Sequence, residues 1–203
     1  LLEREKILKK KYKILIKKNI PQQSGMGGGS MNAATILNFF KKKNFLNTMQ
    51  SENIARKIGS DVILGLNTLP KILLPKSKIY EIKKRIKYHL VLVKPNFGCS
   101  TKKVFSINKI ASKQRYFNLK SQISNELIIN GKNDLEISAF KLYPKLFKLK
   151  NKLLMWKNAK FVRMTGSGST LVMYFNTKVS AKNALKMCKR KLNNCWCILS
   201  KVI

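Results

Sequence analysis

The sequence predicts an α+β protein of two domains, the second built on an antiparallel sheet with helices. Two observations in the second half carry this prediction. Short β-rich runs at 161–164 and 171–175 lie on either side of a Ser-Gly turn, and a helical segment is followed by an alternating run at 196–202. Runs separated by a tight turn pair antiparallel. In the first half, a glycine-rich run precedes an alanine-rich segment typical of a helix. We place the domains at 1–87 and 88–203.

The first elements follow from apolar runs and glycine. The opening stretch reads as a helix end and then a short strand at Ile14–Ile16, an apolar core among lysines. Residues 24–30 predict a loop, because three adjacent glycines have too much backbone freedom for a strand or a helix interior. Residues 32–40 predict a helix, since their apolar side chains fall on one face.

The rest of the first half is shorter and more interrupted. Residues 51–58 predict a second helix, with Ser51 as its cap and Gly59 as its end. Residues 62–64 are a short apolar element, and 67–85 are strand and turn material broken by prolines.

The second half contains clearer periodicities. A β-rich run at 89–93 ends at Lys94-Pro95, and residues 98–101 predict the cap of a helix through Phe105. Further predicted helices span 118–130, 143–157 and 180–192, with an Asn-Asp-Leu-Glu segment at 133–136.

Charge is the most conspicuous property of the composition. The chain has 43 Lys+Arg against 8 Asp+Glu, a formal net charge of +35, which suggests nucleic-acid binding. Three features argue against a specific nucleic-acid partner. The basic residues are spread along the chain, nearly all are lysine where arginine would read bases and phosphates bidentately, and lysine accompanies abundant Asn and Ile, as in AT-rich coding. A basic RNA-binding protein without catalysis stays open as an alternative.

The four cysteines, Cys99, Cys188, Cys195 and Cys197, form no Cys-x-x-Cys pair, and the chain has one histidine. We therefore expect reduced thiols and no metal site held by side chains. No apolar run approaches the roughly 20 residues that span a bilayer, and the opening stretch is not a secretory signal. The prediction is a soluble cytoplasmic protein without a membrane partner; the sequence does not indicate the oligomeric state.

The glycine run suggests a phosphate site. Backbone N–H groups of Gly27, Gly28 and Gly29 can approach a ligand closely, and a helix N-terminus follows them. Ser30 adds a hydroxyl for a phosphate or Mg²⁺. The alternative is a flexible linker. A Walker A loop is excluded because no Lys-Ser/Thr follows, and a dinucleotide fingerprint is excluded by the spacing.

This segment resembles the ATP-binding signature of the GHMP small-molecule kinases, a Pro followed by Gly-Leu-Gly-Gly-Gly-Ser-Ser and a small-residue helix. The resemblance implies that ATP is bound by residues 21–31: Pro21, Gln22, Gln23, Ser24, Gly25, Met26, Gly27, Gly28, Gly29, Ser30 and Met31. Met26 stands where the family has Leu. Met31 stands where it has the second Ser, which removes a hydroxyl near the phosphates.

Residues 59–62, Gly-Ser-Asp-Val, resemble the family's Gly-Ala-Asp-Val-Pro. In the diphosphocytidyl-methylerythritol kinases of this family that Asp is the catalytic base, which implies the same role for Asp61. A carboxylate that accepts the substrate's hydroxyl proton suits phosphoryl transfer. By itself, an Asp after a helix is more often a turn or cap residue. Ile63 stands where the family has Pro.

Three further segments resemble the same kinases. Residues 93–105 look like the segment that closes over the cytidine substrate, with Thr101 near the methylerythritol and Phe105 stacked on cytosine; core packing is the alternative for Phe105. Residues 133–136 match a motif of this kinase whose alternative is a helix cap. Residues 164–170 resemble the third family motif, a Ser-Gly-Ser-Gly turn.

Together these matches imply a two-domain GHMP kinase fold with an active site in the cleft between its halves. They imply ATP and Mg²⁺ as cofactors and 4-diphosphocytidyl-2-C-methyl-D-erythritol as the substrate. The family's first strand, its catalytic Lys and its Asp-Gly-Tyr-His segment have no match here, so we expect the first domain to be incomplete at its N-terminus. Another GHMP kinase, for mevalonate or homoserine, and an inactive remnant are the remaining alternatives.

Overall fold

The computed structural model describes residues 2, 7, 8, 10–73, 78–81, 87–108 and 129–202. The chain divides into two compact units. The first unit comprises residues 1–20 and 27–83, and the second comprises residues 21–26 and 84–203. The short segment 21–26 therefore belongs to the second unit although it precedes most of the first in sequence. The predicted ATP-binding segment 21–31 contributes residues to each unit.

The first unit is mainly helical. Its elements are α1 (Gly28–Lys42), α2 (Thr48–Ile58), a 3₁₀ turn (Ile63–Gly65), and the antiparallel pair β1 (Lys71–Leu73) and β2 (Ile79–Glu81). The two helices and the 3₁₀ turn bury apolar side chains against one another, which forms the core of this unit from Ala34, Leu37, Phe40, Leu46, Ile54, Ala55, Val62 and Ile63. This core holds the start of α1 and the turn before Ile63 on one folded body.

Three expectations for the first unit need correction. The strand at Ile14–Ile16 is wrong: residues 11–19 have no regular structure, and Leu15 is 92% exposed. A strand needs a hydrogen-bonding partner, and among the described residues none pairs with this run. The glycine run is not wholly a loop either, because α1 begins at Gly28. The first turn of a helix tolerates glycine, since its N–H groups have no intrahelical acceptor.

The cap of α2 is the third correction. Asn47, not Ser51, is the N-cap. The Asn47 side chain accepts from the Gln50 N–H at 2.8 Å, and the Gln50 side chain accepts from the Asn47 N–H at 2.9 Å. This reciprocal pair caps the helix, which therefore begins before Ser51. Ser51 lies within the helix and is 1% exposed. The predicted end of α2 at Gly59 is confirmed.

The second unit is a four-stranded sheet with helices. Its strands are β3 (His89–Pro95), β4 (Phe161–Met164), β5 (Leu171–Phe175) and β6 (Cys195–Lys201), in the order β4-β5-β3-β6, with every pair antiparallel. Val91 in β3 lies opposite Met173 and Leu199. Strand β4 is at one edge of the sheet.

The helices of this unit are α3 (Thr101–Ser106), α4 (Leu135–Leu142), α5 (Pro144–Leu154) and α6 (Lys178–Lys191). They bury Val104, Ala139, Leu146 and Cys188 in a core shared with the sheet. The α+β class, the antiparallel sheet and the strands at 89–93, 161–164, 171–175 and 196–202 are confirmed. Helix α4 is not among the predicted helices, and the predicted helix 118–130 lies outside the described residues except at its last two positions.

Candidate functional site

In the first unit, the glycines leave the backbone at the start of α1 uncovered. Gly27 takes a left-handed conformation, with φ 64° and ψ 21°, and precedes the first helical residue. A Cβ added to Gly27, Gly28 or Gly29 would meet no atom of the described residues within 4 Å. The first N–H groups of a helix have no intrahelical acceptor and carry the positive end of its dipole. The backbone here is thus open to an anion, which fits the phosphate groups of ATP.

The next two residues of the predicted segment follow in the first turn of α1. Ser30 is half-buried and Met31 is 38% exposed. The Met31 N–H donates to the Gly27 carbonyl at 2.9 Å, so the helix is already closed at this position. A serine in place of Met31 would add a hydroxyl to this turn, and the thioether adds none. Only Ser30 therefore brings a side-chain hydroxyl to the part of the segment that lies in the first unit.

Asp61 is an exposed carboxylate on an anchored turn. Its neighbours Val62 and Ile63 are 2% and 4% exposed and belong to the core of the first unit. The Asp61 carboxylate receives one weak contact, from Ser60 Oγ at 3.4 Å. Ile63, which stands where the family has Pro, begins the 3₁₀ turn. The backbone that carries the carboxylate is held in place by the core, and among the described residues the carboxylate has no strong partner.

In the second unit, residues 21–26 are bound through their backbone. The carbonyl of Gln23 accepts from the N–H groups of Cys99 at 3.3 Å and Ser169 at 3.4 Å, and the carbonyl of Ser24 accepts from Thr170 at 3.1 Å. Ser24 is 6% exposed. These bonds connect the segment to the loop before α3 and to the Ser-Gly turn.

Gly25 makes the closest approach to that turn. It has φ +71°, and a Cβ there would lie 2.3 Å from the carbonyl oxygen of Thr165 and 2.7 Å from the nitrogen of Gly168. A Cβ on Gly166 would lie 2.7 Å from the carbonyl oxygen of Gly25. Glycine is required at Gly25 for both its backbone conformation and its contacts.

Thr101 and Phe105 lie in α3, which Ser100 caps by accepting from the Lys103 N–H at 3.4 Å. Thr101 Oγ1 lies 2.9 Å from Ser167 Oγ, within the Ser-Gly turn. Phe105 is 57% exposed, whereas its neighbour Val104 is fully buried. The core-packing alternative for Phe105 is therefore wrong, and its ring is available to a ligand.

Sequence reasoning missed the role of Asn133 and Glu136. The Asn133 amide Nδ2 donates to the carbonyls of Met164 and Gly166, both at 2.8 Å, and Glu136 Oε1 accepts from the Met164 N–H at 2.7 Å. Asn133 Oδ1 also accepts from the Leu135 N–H at 3.0 Å, which is a cap-like contact. The sequence signal is an Asn before a helix and a Glu in its first turn, and it is the same for a cap and for this contact.

The sequence indicates no individual role for Lys94, which belongs to the segment 93–105, but in the structure its ammonium group is buried within the second unit. It is 6% exposed and donates from Nζ to the carbonyls of Pro95 at 2.9 Å and Phe97 at 3.0 Å. Burial lowers the Lys94 pKa, with partial compensation by Cys99. The Phe97 carbonyl also accepts from Ser169 Oγ at 2.7 Å. Lys94 thus braces the loop before α3 against the Ser-Gly turn.

Among the described residues, no three His, Cys, Asp or Glu side chains cluster in a way that could hold a metal ion. The four cysteines are free thiols. No helix in this part of the chain is long and apolar enough to cross a membrane.

Both halves of the chain match models of one kinase family. Residues 1–71 match the family described as GHMP kinases N terminal domain, and residues 118–194 match GHMP kinases C terminal. A 4-diphosphocytidyl-2-C-methyl-D-erythritol kinase of Pelagibacter ubique is 45% identical over 207 residues, covering 100% of this chain and 74% of the relative. The kinase of the same name from Petrotoga mobilis is 35% identical, covering 81% of this chain and 68% of the relative.

Solved structures show the same fold. A crystal structure of 4-(cytidine 5'-diphospho)-2C-methyl-D-erythritol kinase aligns with a TM-score of 0.72 at 22% identity, over 90% of this chain and 68% of that one. Homoserine kinase from Cytophaga hutchinsonii aligns with a TM-score of 0.65 at 12% identity, over 92% of this chain and 68% of that one. At these identities the likeness supports the fold alone.

Proposed function

This chain belongs to the GHMP kinases and, within them, to the 4-diphosphocytidyl-2-C-methyl-D-erythritol kinases; from this premise we propose that it transfers the γ-phosphoryl group of ATP to the 2-hydroxyl of 4-diphosphocytidyl-2-C-methyl-D-erythritol. The reaction is a step of non-mevalonate isoprenoid precursor synthesis. The observation that carries the proposal is the 45% identity that extends over the whole chain. Use of ATP follows from the kinase family.

The phosphate end of the reaction is assigned to the first turn of α1 and to Asp61. The uncovered N–H groups at Gly27, Gly28 and Gly29 bind phosphate oxygens, and Ser30 adds its hydroxyl. The oxygen of the substrate's 2-hydroxyl bonds to the γ-phosphorus while Asp61 accepts the hydroxyl proton. The bond between the γ-phosphorus and the oxygen that bridges it to the β-phosphate breaks, which releases ADP. Mg²⁺, when bound, would neutralise charge on the phosphates.

The substrate end is assigned to α3. The exposed ring of Phe105 offers a flat apolar face to cytosine, and aromatic rings stack on bases irrespective of hydrogen bonding. Thr101 presents a hydroxyl whose position is fixed by Ser167 at 2.9 Å. These roles, the Mg²⁺ requirement and a cytoplasmic location are parts of the proposal.

The alternatives have weaker support. Kinases for mevalonate or homoserine share the fold, but the relatives above with at least 35% identity carry the cytidine-substrate name. An RNA-binding protein without catalysis has no support beyond the net charge of +35. Whether the protein is an inactive remnant is tested by measuring its kinase activity.

The test is ADP release by the protein as its source cell makes it, with ATP, Mg²⁺ and the cytidine substrate. Asp61→Asn should lower kcat by about two orders of magnitude or more, the scale of general base catalysis. Glu52→Gln makes the same chemical change on an exposed carboxylate of α2 and should leave the rate unchanged. Equal rates for Asp61→Asn and the wild type would contradict the assigned base.

A substrate panel separates the remaining alternatives. ADP release with homoserine or mevalonate but not with the cytidine substrate would identify another GHMP kinase. No ADP release with any of the three would support the remnant. Steeply salt-dependent binding of RNA without ADP release would support the RNA-binding alternative.

A further inference from the structure

We propose that Asn133 and Glu136 are positioning residues for ATP: they hold the Ser-Gly turn, residues 165–169, in the conformation that fixes Gly25. This inference rests on the proposed function, because Gly25 lies in the predicted ATP-binding segment. It concerns the part of that segment in the second unit, residues 21–26. Neither side chain needs to touch a ligand.

Both side chains bind the backbone of strand β4. It is an edge strand, paired only with β5 among the described strands, so its outward backbone groups have no strand partner. At Met164 both outward groups are bound by side chains. Glu136 Oε1 accepts from the N–H at 2.7 Å, and Asn133 Nδ2 donates to the carbonyl at 2.8 Å. The two residues thus replace a neighbouring strand where β4 enters the turn.

Asn133 uses its whole carboxamide. Both amide hydrogens are engaged, one by the Met164 carbonyl and one by the Gly166 carbonyl at 2.8 Å, while Oδ1 accepts from the Leu135 N–H at 3.0 Å. A helix cap needs only the oxygen. The nitrogen therefore serves the turn, and its two acceptors lie on either side of Thr165.

Glu136 is bound at its second carboxylate oxygen by an ion pair. Its Oε2 pairs with Lys150 Nζ of α5 at 2.6 Å, and the two side chains are 15% and 18% exposed. The Lys150 ammonium also lies 5.5 Å from the centre of the Phe140 ring. A partly buried, doubly engaged carboxylate has little rotational freedom, so the Met164 N–H is fixed by the packing of α4 and α5.

Thr165 transmits this position to the ATP-binding segment. Its Oγ1 donates to the Gly25 carbonyl at 3.1 Å, and its own carbonyl oxygen would be 2.3 Å from a Cβ on Gly25. The backbone of Thr165 leaves no room for a side chain at Gly25, and the hydrogen bond joins the two residues, so we expect a shift of Thr165 to shift Gly25. Loss of the Asn133 donors should therefore misplace the segment that binds ATP.

The variant Asn133→Asp separates a cap from a positioning residue. A carboxylate still accepts from the Leu135 N–H, which preserves the cap, but it cannot donate to the Met164 and Gly166 carbonyls. We expect the KM for ATP to rise about tenfold, the value of roughly two lost hydrogen bonds, with kcat changed less. Ile137→Asp, which adds the same charge to an exposed site of α4, should match the wild type.

Hydrogen exchange gives a readout that needs no activity. The N–H groups of Ser169 and Thr170 donate to the carbonyls of Gln23 and Ser24, so Asn133→Asp should speed exchange in peptides that cover 165–170. Unchanged exchange together with an unchanged KM would overturn the proposal and leave Asn133 a cap. Faster exchange in a protein without ATP-dependent activity would uphold the positioning role and refute the proposed function.

Lys150→Met provides a second variant should Asn133→Asp fail to fold. It removes the ion pair behind Glu136 and leaves both side chains that contact the turn. A smaller rise in the KM for ATP, with kcat unchanged, and faster exchange in the same peptides are expected. Wild-type values of both quantities would count against Glu136 as a positioning residue.

Discussion

Thr165 and Gly25 are joined by a hydrogen bond of 3.1 Å although 140 positions separate them in sequence. The bond runs from Thr165 Oγ1 to the Gly25 carbonyl, and a Cβ added to Gly25 would lie 2.3 Å from the carbonyl oxygen of the same Thr165. Two family motifs that are distant in the sequence are therefore one packed structure. The consequences of this packing can be measured with glycine substitutions.

Gly25→Ala should destabilise the protein. The residue has φ +71°, and its Cβ would lie 2.3 Å from the Thr165 carbonyl oxygen, so backbone must shift. Strain of this kind costs about 1–3 kcal/mol, which lowers the melting temperature by about 2–12 °C in a chain of this size. Thermal denaturation followed by circular dichroism measures the shift.

Gly29→Ala is the matched control for stability and a test of the phosphate site. Its Cβ would meet nothing within 4 Å in the part of the chain that the structure describes, and alanine favours helix by about 0.5–1 kcal/mol, so the melting temperature should hold or rise. We expect the KM for ATP to rise nonetheless, because the methyl group would stand between the backbone and a phosphate. An unchanged KM would argue that phosphates do not approach this backbone.

Phe105→Ala and Val104→Ala should separate ligand binding from stability. Phe105 is 57% exposed, so its removal should change the free energy of unfolding by less than about 0.5 kcal/mol while raising the KM for the cytidine substrate. Val104 is fully buried, and its truncation should cost about 2 kcal/mol. Urea denaturation and steady-state kinetics on both variants decide the point. A large stability loss in Phe105→Ala would reject the stacking role.

Asn47→Ala and Ser51→Ala should have opposite effects on α2. The first removes a reciprocal cap and should cost about 1 kcal/mol. The second removes a buried hydroxyl that has no hydrogen-bond partner among the described residues and introduces a better helix former, so it should be neutral or stabilising. Urea midpoints compare the two. A destabilised Ser51→Ala variant would mean that the Ser51 hydroxyl is bound in solution.

Cys99 should make stability depend on pH in the alkaline range. Burial raises the pKa of this thiol from 9.0 to about 11, against the opposing effect of Lys94. Between these values the folded state retains a proton that the unfolded state has lost. The stabilisation is therefore complete below about pH 9 and declines as pH rises through about 11. Lys94, whose pKa is lowered by burial, acts in the opposite direction below its ordinary value.

Comparison of the wild type with Cys99→Ala isolates the thiol. The difference in unfolding free energy between the two proteins should shrink from pH 8.5 to pH 11, as followed by urea denaturation at each pH. A constant difference would show that Cys99 titrates alike in both states.

Much of the fold could be predicted from local patterns. The runs at 89–93, 161–164 and 171–175 could be predicted as strands and Gly59 as a helix end, because short apolar runs and a glycine after a helical pattern indicate these features locally. The run at Ile14–Ile16 has the same local pattern and no strand. A local apolar pattern is not sufficient to predict a strand, because a strand also needs a pairing partner that can lie far away in sequence.

The candidate site divides in the same way. The phosphate segment, Asp61 and Phe105 could be proposed as site residues because a family resemblance attaches roles to their motifs. Asn133 was not identifiable as a contact of the Ser-Gly turn, since an Asn before a helix reads equally as a cap. Its two acceptors belong to residues 31 and 33 positions away.

The sequence by itself determined the α+β class, the positions of most elements, the family motifs and the excess of positive charge. The tertiary structure decided that Phe105 is exposed and not core, that Lys94 is buried against two carbonyls, and that Thr165 reaches Gly25. The reason is physical. Helix period, glycine freedom and charge are properties of residues and their neighbours, whereas burial and hydrogen bonding across the chain arise only when distant segments pack together.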